Sequence, residues 1–210
     1  MRYDDSVILL YAKAPIENKV NSRLIPDIGV QAATRLQHDL IHDRLSMLSV
    51  ANLCDVRLMC ALDMRHECFL QCAKQYPVTL FEQAGNDLGE RIFNGISQAL
   101  EVYKYCIVIG TDAPSLDSET IRQVIEKLHS GSEVVVVPAE DGGYVLIAMR
   151  EAHEFLFQEI NWGSTEVMQQ TVDSLRENNI SFEALASCWD VDRLDDYQRY
   201  LNLLGEKRSN

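Results

Sequence analysis

The stretch YCIVIGTDAPSLDSETIRQVIEKLHSGSEVVVV, residues 105–137, decides the fold. It opens on one short β-branched run, Tyr105–Gly110, and closes on another, Glu133–Val137. Each is of strand length and bounded by turn or polar residues. Between them Ile121, Val124, Ile125 and Leu128 form one apolar stripe at helical spacing, behind Asp117 or Ser118 as the N-cap. A strand–helix–strand unit of this kind argues for parallel strands covered by helices. Val134–Val137 is apolar throughout, which predicts a central strand buried on both faces.

The same alternation extends in both directions. Val7–Ala12, Asp55–Leu62, Val78–Phe81 and Tyr144–Met149 read as strands. Residues 30–49 place Ala33, Leu36, Leu40 and Leu48 at helical spacing, and Leu88, Ile92, Ile96 and Leu100 recur every fourth residue. A further helix is predicted over 166–178, behind Gly163-Ser164-Thr165, and another at the end of the chain. The turn Pro138–Gly143 predicts a hairpin joining the strands on either side, because Asp-Gly is a strong hairpin signal. The sequence therefore predicts an α/β fold with a mixed, mostly parallel sheet flanked by helices on both faces. No repeat, linker or composition shift interrupts it, so residues 1–210 read as a single domain.

Of 210 residues 47% are hydrophobic and 24% charged, which is globular composition and excludes disordered and fibrous classes. The formal net charge of −13 argues against general nucleic-acid binding. No apolar run approaches the roughly 18–20 residues of a membrane span. The charged N-terminus and the short Val7–Ala12 run lack the features of a secretory signal, which predicts a cytoplasmic protein. Six cysteines then read as free thiols. Cys68 and Cys72 lie four apart with His66 nearby, but without CxxC or HExxH spacing they read as buried or half-buried thiols rather than a zinc site. His38 and His42, also four apart, lie beside Asp39 and Asp43 and read as a solvated helix face.

Ligands of open α/β sheets bind beyond the carboxyl ends of the strands, so the loops there carry the chemistry. The first, Lys13–Arg23, has no glycine, which excludes a Walker loop and a GxGxxG fingerprint. Lys13, Lys19 and Arg23 nevertheless make it locally basic in an acidic chain, as phosphate binding requires. Asp112 ends the Tyr105–Gly110 strand at the ligand face, where a carboxylate can hold Mg²⁺ together with substrate phosphates. Taken alone it reads equally as a turn residue. Glu140 and Asp141, next to Gly142 and Gly143, can accept bonds from sugar hydroxyls or act as a base, or simply form the hairpin turn. Asp190 and Asp192 alternate on an extended stretch and face one side, as metal ligands or with Asp192 as a helix cap. Trp162 reads as core or pocket wall. No GxSxG elbow is present.

In this order the loops resemble a bacterial family of GT-A-like glycosyltransferases within the nucleotide-diphospho-sugar transferase superfamily. The family was long labelled a domain of unknown function, and some members are associated with arsenosugar biosynthesis. Its opening AKxPxxGKxKTRL is matched by Ala12-Lys13-Ala14-Pro15, Lys19 and Ser22-Arg23-Leu24. Its Q…DLGERM is matched by Gln83 and Asp87–Ile92, and its GTDxPxL by Gly110–Leu116. Pro138–Ile147 matches PAEDGGYxLI, Trp162–Thr165 the later tryptophan segment, and Asp190–Asp192 with Asp195-Asp196 the DVDTxED ending. The resemblance implies a GT-A fold, a nucleotide-sugar donor, a small-molecule acceptor and Mg²⁺ or Mn²⁺. It implies Lys13, Lys19, Arg23 and Asp87 on the donor side, and Asp112, with Asp190 and Asp192, at the metal. It also implies Glu140, Asp141, Gly142, Gly143, Tyr144 and Trp162 around the sugar or acceptor, with Asp141 or Glu140 as base.

Four positions depart from the pattern: Asn18 replaces a glycine, Asn21-Ser22 replaces Lys-Thr, and Val137 replaces a glycine. Two other readings follow. Nucleotidyl transfer from an NTP shares the fold and metal, but its usual glycine-rich first loop is missing. A non-catalytic nucleotide-binding or regulatory module is motivated by the altered first loop.

Overall fold

A computed structural model describes residues 2–209. Seven strands form one sheet: β1 (Ser6–Lys13), β2 (Asp55–Ala61), β3 (Val78–Glu82), β4 (Tyr105–Gly110), β5 (Val134–Pro138), β6 (Tyr144–Met149) and β7 (Phe182–Ala184). Their spatial order is β3-β2-β1-β4-β6-β5-β7. Every pairing is parallel except those of β6, which runs antiparallel to both β4 and β5. The predicted hairpin is therefore β5–β6, and it makes the sheet mixed.

The helices are α1 (Ile25–Ile28), α2 (Val30–Ala51), α3 (Glu67–Gln75), α4 (Leu88–Leu100), α5 (Ser118–His129), α6 (Val167–Glu177) and α7 (Leu194–Ser209). They divide between the faces as the period-two alternation of the strands requires. Ile8, Leu10, Ile107 and Ile109 pack with Leu45 of α2, Phe69 of α3 and Val124 of α5. Val7, Leu9, Cys106 and Val108 pack with Ile96 of α4 and Leu175 of α6 on the other face. Val134 to Val137 are fully buried, alternate residues facing opposite clusters. A third cluster joins Leu36 and Leu40 of α2 to Trp189, Val191 and Tyr200, so α7 docks on α2 and covers the segment leading into it.

Local chemistry sets the helix ends. Asp117 caps α5 by accepting from the Thr120 N–H at 2.8 Å, as expected of an N-cap. Asn52 closes α2 in the left-handed conformation, φ 45°. Two elements escape the periodicity. Helix α1 is one turn started by Pro26, and β7 is a three-residue edge strand whose register Val134↔Phe182 comes from pairing with β5 rather than from its own pattern.

After β1 the chain builds outward through β2 and β3, then returns to place β4 on the other side of β1. The crevice between the carboxyl ends of β1 and β4 is thus the topological switch point of the sheet.

Candidate active site

A cleft of about 350 Å³ opens at that switch point. Tyr11, Ala12 and Lys13 line it from β1, and Val108 to Asp112 from β4 and its loop. Asp141, Gly143 and Tyr144 come from the hairpin, and Trp162 and Asp190 from later segments. A second cleft, about 400 Å³, shares Asp141, Gly163, Ser164 and Asp190 with the first and adds Arg23, Glu140 and Asp192. The two are one continuous groove with Asp141 and Asp190 at the junction.

Each functional side chain has a local reason for its place. The Asp112 carboxylate folds back over Gly110, where a Cβ would stand 2.6 Å from Oδ1, so a side chain at 110 would displace it. The Asp112 carbonyl accepts from the Val191 N–H at 2.8 Å, and Ser115 Oγ donates to Trp189 O at 2.7 Å. These bonds bind the loop after β4 to the segment carrying Asp190. Behind that loop lies Arg44 of α2, a buried guanidinium that donates to the carbonyls of Leu116 and Pro114. At the hairpin tip, Asp141 Oδ1 accepts from the Gly143 N–H at 2.9 Å, an Asx turn. Gly142 adopts φ 95° and packs so tightly that a Cβ would stand 2.2 Å from the Thr165 carbonyl oxygen. Its own carbonyl accepts from the Met168 N–H at 2.9 Å, which ties the hairpin to the start of α6.

Carboxylates dominate the electrostatics. Partial burial, with Asp112 and Asp141 nearby, pushes Asp190 up to about 7. Asp112 is open to the groove but walled by protein around it. Burial raises its carboxyl too, Asp192 and Asp141 add to the effect, and a backbone bond and Lys13 oppose it. Lys13 is the one cation among the described residues that line the first cleft. Arg23 stands at the junction, bonded to Asp192 at 2.7 Å and to the Gly163 carbonyl at 3.4 Å. Tyr144 packs edge-on against Trp162, ring centroids 6.3 Å apart, and its hydroxyl is buried with no hydrogen-bond partner among the described residues.

The structure brings Lys13, Asp112, Asp141, Gly143, Tyr144, Trp162 and Asp190 into the first cleft. Arg23, Glu140 and Asp192 line the second cleft, and Lys19 and Asp87 line neither. Lys19 is exposed and lines neither cleft. Asp87 caps α4, its carboxylate accepting from the Glu90 N–H at 2.8 Å. Glu140 is paired with Arg199 at 2.9 Å, whose guanidinium lies over Trp189. Asp192 is held by Arg23 and Arg193 rather than capping α7, and the carboxylate of Asp196 receives the Arg193 N–H at 2.8 Å instead. Gly142 builds the turn, and Gly143 lines the cleft. No three of the site's carboxylates bring ligand atoms within 4.8 Å of one another among the described residues.

Sequence reasoning missed Gln37 and Thr111. Gln37 Nε2 donates to Lys13 O at 3.3 Å and to Thr111 Oγ1 at 3.4 Å, joining the carboxyl ends of β1 and β4. A glutamine on the buried stripe of α2, between Leu36 and Leu40, was the available signal. Gln83, noted only for the resemblance, bonds Met59 O at 2.7 Å and Ala12 O at 3.4 Å across the ends of β2 and β1. Asn18 and Asn21 of the first loop take φ 63° and 47°, so asparagine supplies the left-handed backbone where the family pattern has glycine at 18.

Comparison with solved structures finds the same fold. A "putative nucleotide-diphospho-sugar transferase" from Desulfovibrio desulfuricans G20 matches with TM-score 0.82 and 28% identity, over 91% of this chain and 84% of that one. A 4-diphosphocytidyl-2C-methyl-D-erythritol synthase from Anaerococcus prevotii DSM 20548 matches with TM-score 0.65 and 10% identity, over 95% and 96% of the two chains. A CMP:2-keto-3-deoxy-manno-octonic acid synthetase complexed with CTP matches with TM-score 0.59 and 13% identity, over 97% and 100%. No curated protein matches the sequence. No helix among the described residues is long and apolar enough to cross a membrane. A family model described as "Uncharacterized protein conserved in bacteria (DUF2064)" matches residues 45–164, more than half of the chain, and the protein belongs to that family.

Proposed function

We propose that the protein is a nucleotide-utilising transferase, and specifically that it transfers a glycosyl group from a nucleotide-diphospho-sugar to a small acceptor with the aid of Mg²⁺ or Mn²⁺. The observation that carries this reading is the carboxylate pair Asp112 and Asp190, drawn from separate segments to one switch-point cleft with Lys13 as its lining cation. Their mutual repulsion and hard oxygen donors fit a divalent cation, which commonly takes one or two carboxylates plus substrate phosphates. When bound, that cation would supply charge neutralisation for the departing nucleoside diphosphate.

The chain's own residues do the rest. Lys13 at the rim and Arg23 at the junction lie where a diphosphate would meet them, and they stabilise charge that develops as the glycosidic bond breaks. Trp162 and Tyr144 wall the cleft, and the unpartnered Tyr144 hydroxyl offers a bond to a sugar hydroxyl. Asp141, exposed at the junction of the two clefts, takes the acceptor proton, while Glu140 is engaged by Arg199 and is the weaker candidate. The second cleft then admits the acceptor.

Nucleotidyl transfer is the second reading, supported by the fold shared with the CTP-complexed synthetase. The test is a thermal-shift panel of nucleoside diphosphates, triphosphates and nucleotide sugars, each with and without Mg²⁺ or Mn²⁺, followed by product analysis on the best ligand. A metal-dependent rise with one nucleotide sugar and release of its nucleoside diphosphate supports glycosyl transfer. Pyrophosphate release from a triphosphate supports the second reading. A flat panel overturns both in favour of a non-catalytic module.

A further inference from the structure

Away from the groove, the fold brings together two pairs that look unremarkable when read separately. His38 and His42 lie one turn apart on α2, and Cys68 and Cys72 one turn apart on α3. Helix geometry puts residues i and i+4 on one face, and the two helices pack with these faces opposed. Ligand atoms of His38, His42 and Cys68 all lie within 4.8 Å of one another. Cys72 Sγ stands 3.8 Å from His42 Nε2. A tetrahedral zinc site with Zn–S about 2.3 Å and Zn–N about 2.0 Å has an S···N edge of about 3.5 Å. The Cys72–His42 distance is already close to that edge.

The surroundings of the imidazoles match metal ligation. In a ligated histidine one ring nitrogen binds the metal and the other is oriented by an oxygen partner. His38 Nδ1 lies 3.1 Å from Asp39 Oδ1, and His42 Nδ1 lies 3.2 Å from Tyr76 Oη. Tyr76 Oη also reaches the His42 carbonyl at 3.5 Å, so it can donate there while accepting from Nδ1–H. Both rings therefore have Nε2 to offer. The sulfurs are buried, and all six cysteines are free. His66 is not a fifth ligand, because its Nδ1 accepts the Cys68 N–H at the start of α3. A hollow of about 450 Å³ bordered by Pro15, His38, His66 and Cys68 gives an ion a way in.

We propose that His38, His42, Cys68 and Cys72 form a zinc(II) site that bolts α2 to α3. Two thiolates and two imidazoles are the donor set of closed structural zinc sites, and their softness selects against Mg²⁺ and Ca²⁺. Binding replaces two S–H bonds with two Zn–S bonds and releases two protons, with no change of oxidation state. The two thiolates balance the charge of the ion. The site needs nothing from the carboxylate groove and stands apart from the proposed transferase reaction.

The test is metal analysis of the full chain purified without chelator, with cobalt(II) as a spectroscopic probe of the metal-free protein. One zinc per chain is expected, together with a tetrahedral cobalt spectrum that carries thiolate-to-metal charge-transfer bands. Both should be lost in C68S/C72S and weakened in H38Q, whose half-exposed side chain leaves folding intact. Both should persist in D112N, which separates this site from the groove. Chelator should lower the melting temperature of the wild type and leave C68S/C72S unmoved. Zinc well below one per chain with no thiolate–cobalt bands overturns the proposal. Zinc retained by C68S/C72S, or a Cys68–Cys72 disulfide found by mass in the purified protein, overturns it equally.

Discussion

The Val191 N–H donates to the Asp112 carbonyl across 2.8 Å, and with the bonds between Ser115 and Trp189 it joins the loop after β4 to the segment that carries Asp190. The two carboxylates line one cleft, where the charge of Asp112 helps to raise the Asp190 carboxyl. Asp192, one residue beyond Val191, is turned instead to Arg23 and Arg193. Substitutions at the three aspartates should therefore separate. D112N and D190N should each abolish the metal-dependent part of a nucleotide's thermal shift. D192N should keep the metal dependence and weaken nucleotide affinity about tenfold, or 1.4 kcal/mol, by leaving Arg23 unoriented. Thermal shifts measured with and without Mn²⁺ check this, and equal behaviour of all three variants would contradict it.

The raised carboxyls make metal-free stability depend on pH. Asp190 titrates near 7 in the folded protein against roughly 4 unfolded, and Asp112 is raised as well. Between those values the folded state holds more protons than the unfolded one, so stability falls as pH rises from about 4 to about 7 and levels off above. In chelator, D190N should melt about 2–4 °C above wild type at pH 8, equivalent to roughly 1 kcal/mol for a chain of this length. The gap should close toward pH 4. A pH-independent difference between the two proteins would rule out this origin.

Arg44 is 3% exposed and meets only backbone carbonyls of the loop that presents Asp112. R44M keeps the apolar stem but leaves those carbonyls without donors. It should cost about 3 kcal/mol, which corresponds to a fall of roughly 6–12 °C in melting temperature. Urea titration with an unchanged slope would locate the loss in the folded state. Metal-dependent nucleotide binding should weaken in parallel, because the clamp behind Asp112 is gone.

Gly142 combines φ 95° with a contact that leaves no room for a methyl group beside Thr165. G142A should cost about 1–3 kcal/mol by forcing the turn out of this conformation. It should also part the hairpin from residues 162–168, so ligand affinity should fall further than stability does. Calorimetric melting and nucleotide titration on the same preparation compare the two losses.

The elements with strong periodicity were legible in the sequence for a physical reason. Ile92, Ile96 and Leu100 repeat every fourth residue because one face of α4 packs on the core, although Leu88 at its start stays exposed, and Val134–Val137 is wholly apolar because both faces of β5 are covered. Strand β7 left no such trace, since Glu183 and Ala184 are exposed and the strand exists through its pairing with β5. The loops that carry Lys13, Asp112 and Asp141 were legible as strand ends. What each side chain does there was not, because Arg199 reaches Glu140 and Arg23 reaches Asp192 from distant parts of the chain. The histidine and cysteine pairs were visible singly, but only the packing of α2 against α3 brings them face to face.

The docking of the last segment onto α2 also orders events in the life of the molecule. Trp189, Val191 and Tyr200 pack against Leu36 and Leu40, and this packing, with the Val191–Asp112 and Ser115–Trp189 bonds, holds Asp190 at the cleft. During synthesis β1 through β6 leave the ribosome first, and such units begin to fold as they emerge. A nascent or prematurely stopped chain can thus assemble most of its sheet while the cleft lacks half of its carboxylate pair. A ligand that needs both carboxylates would therefore find its site only after translation has passed Asp190 and the segment has docked on α2.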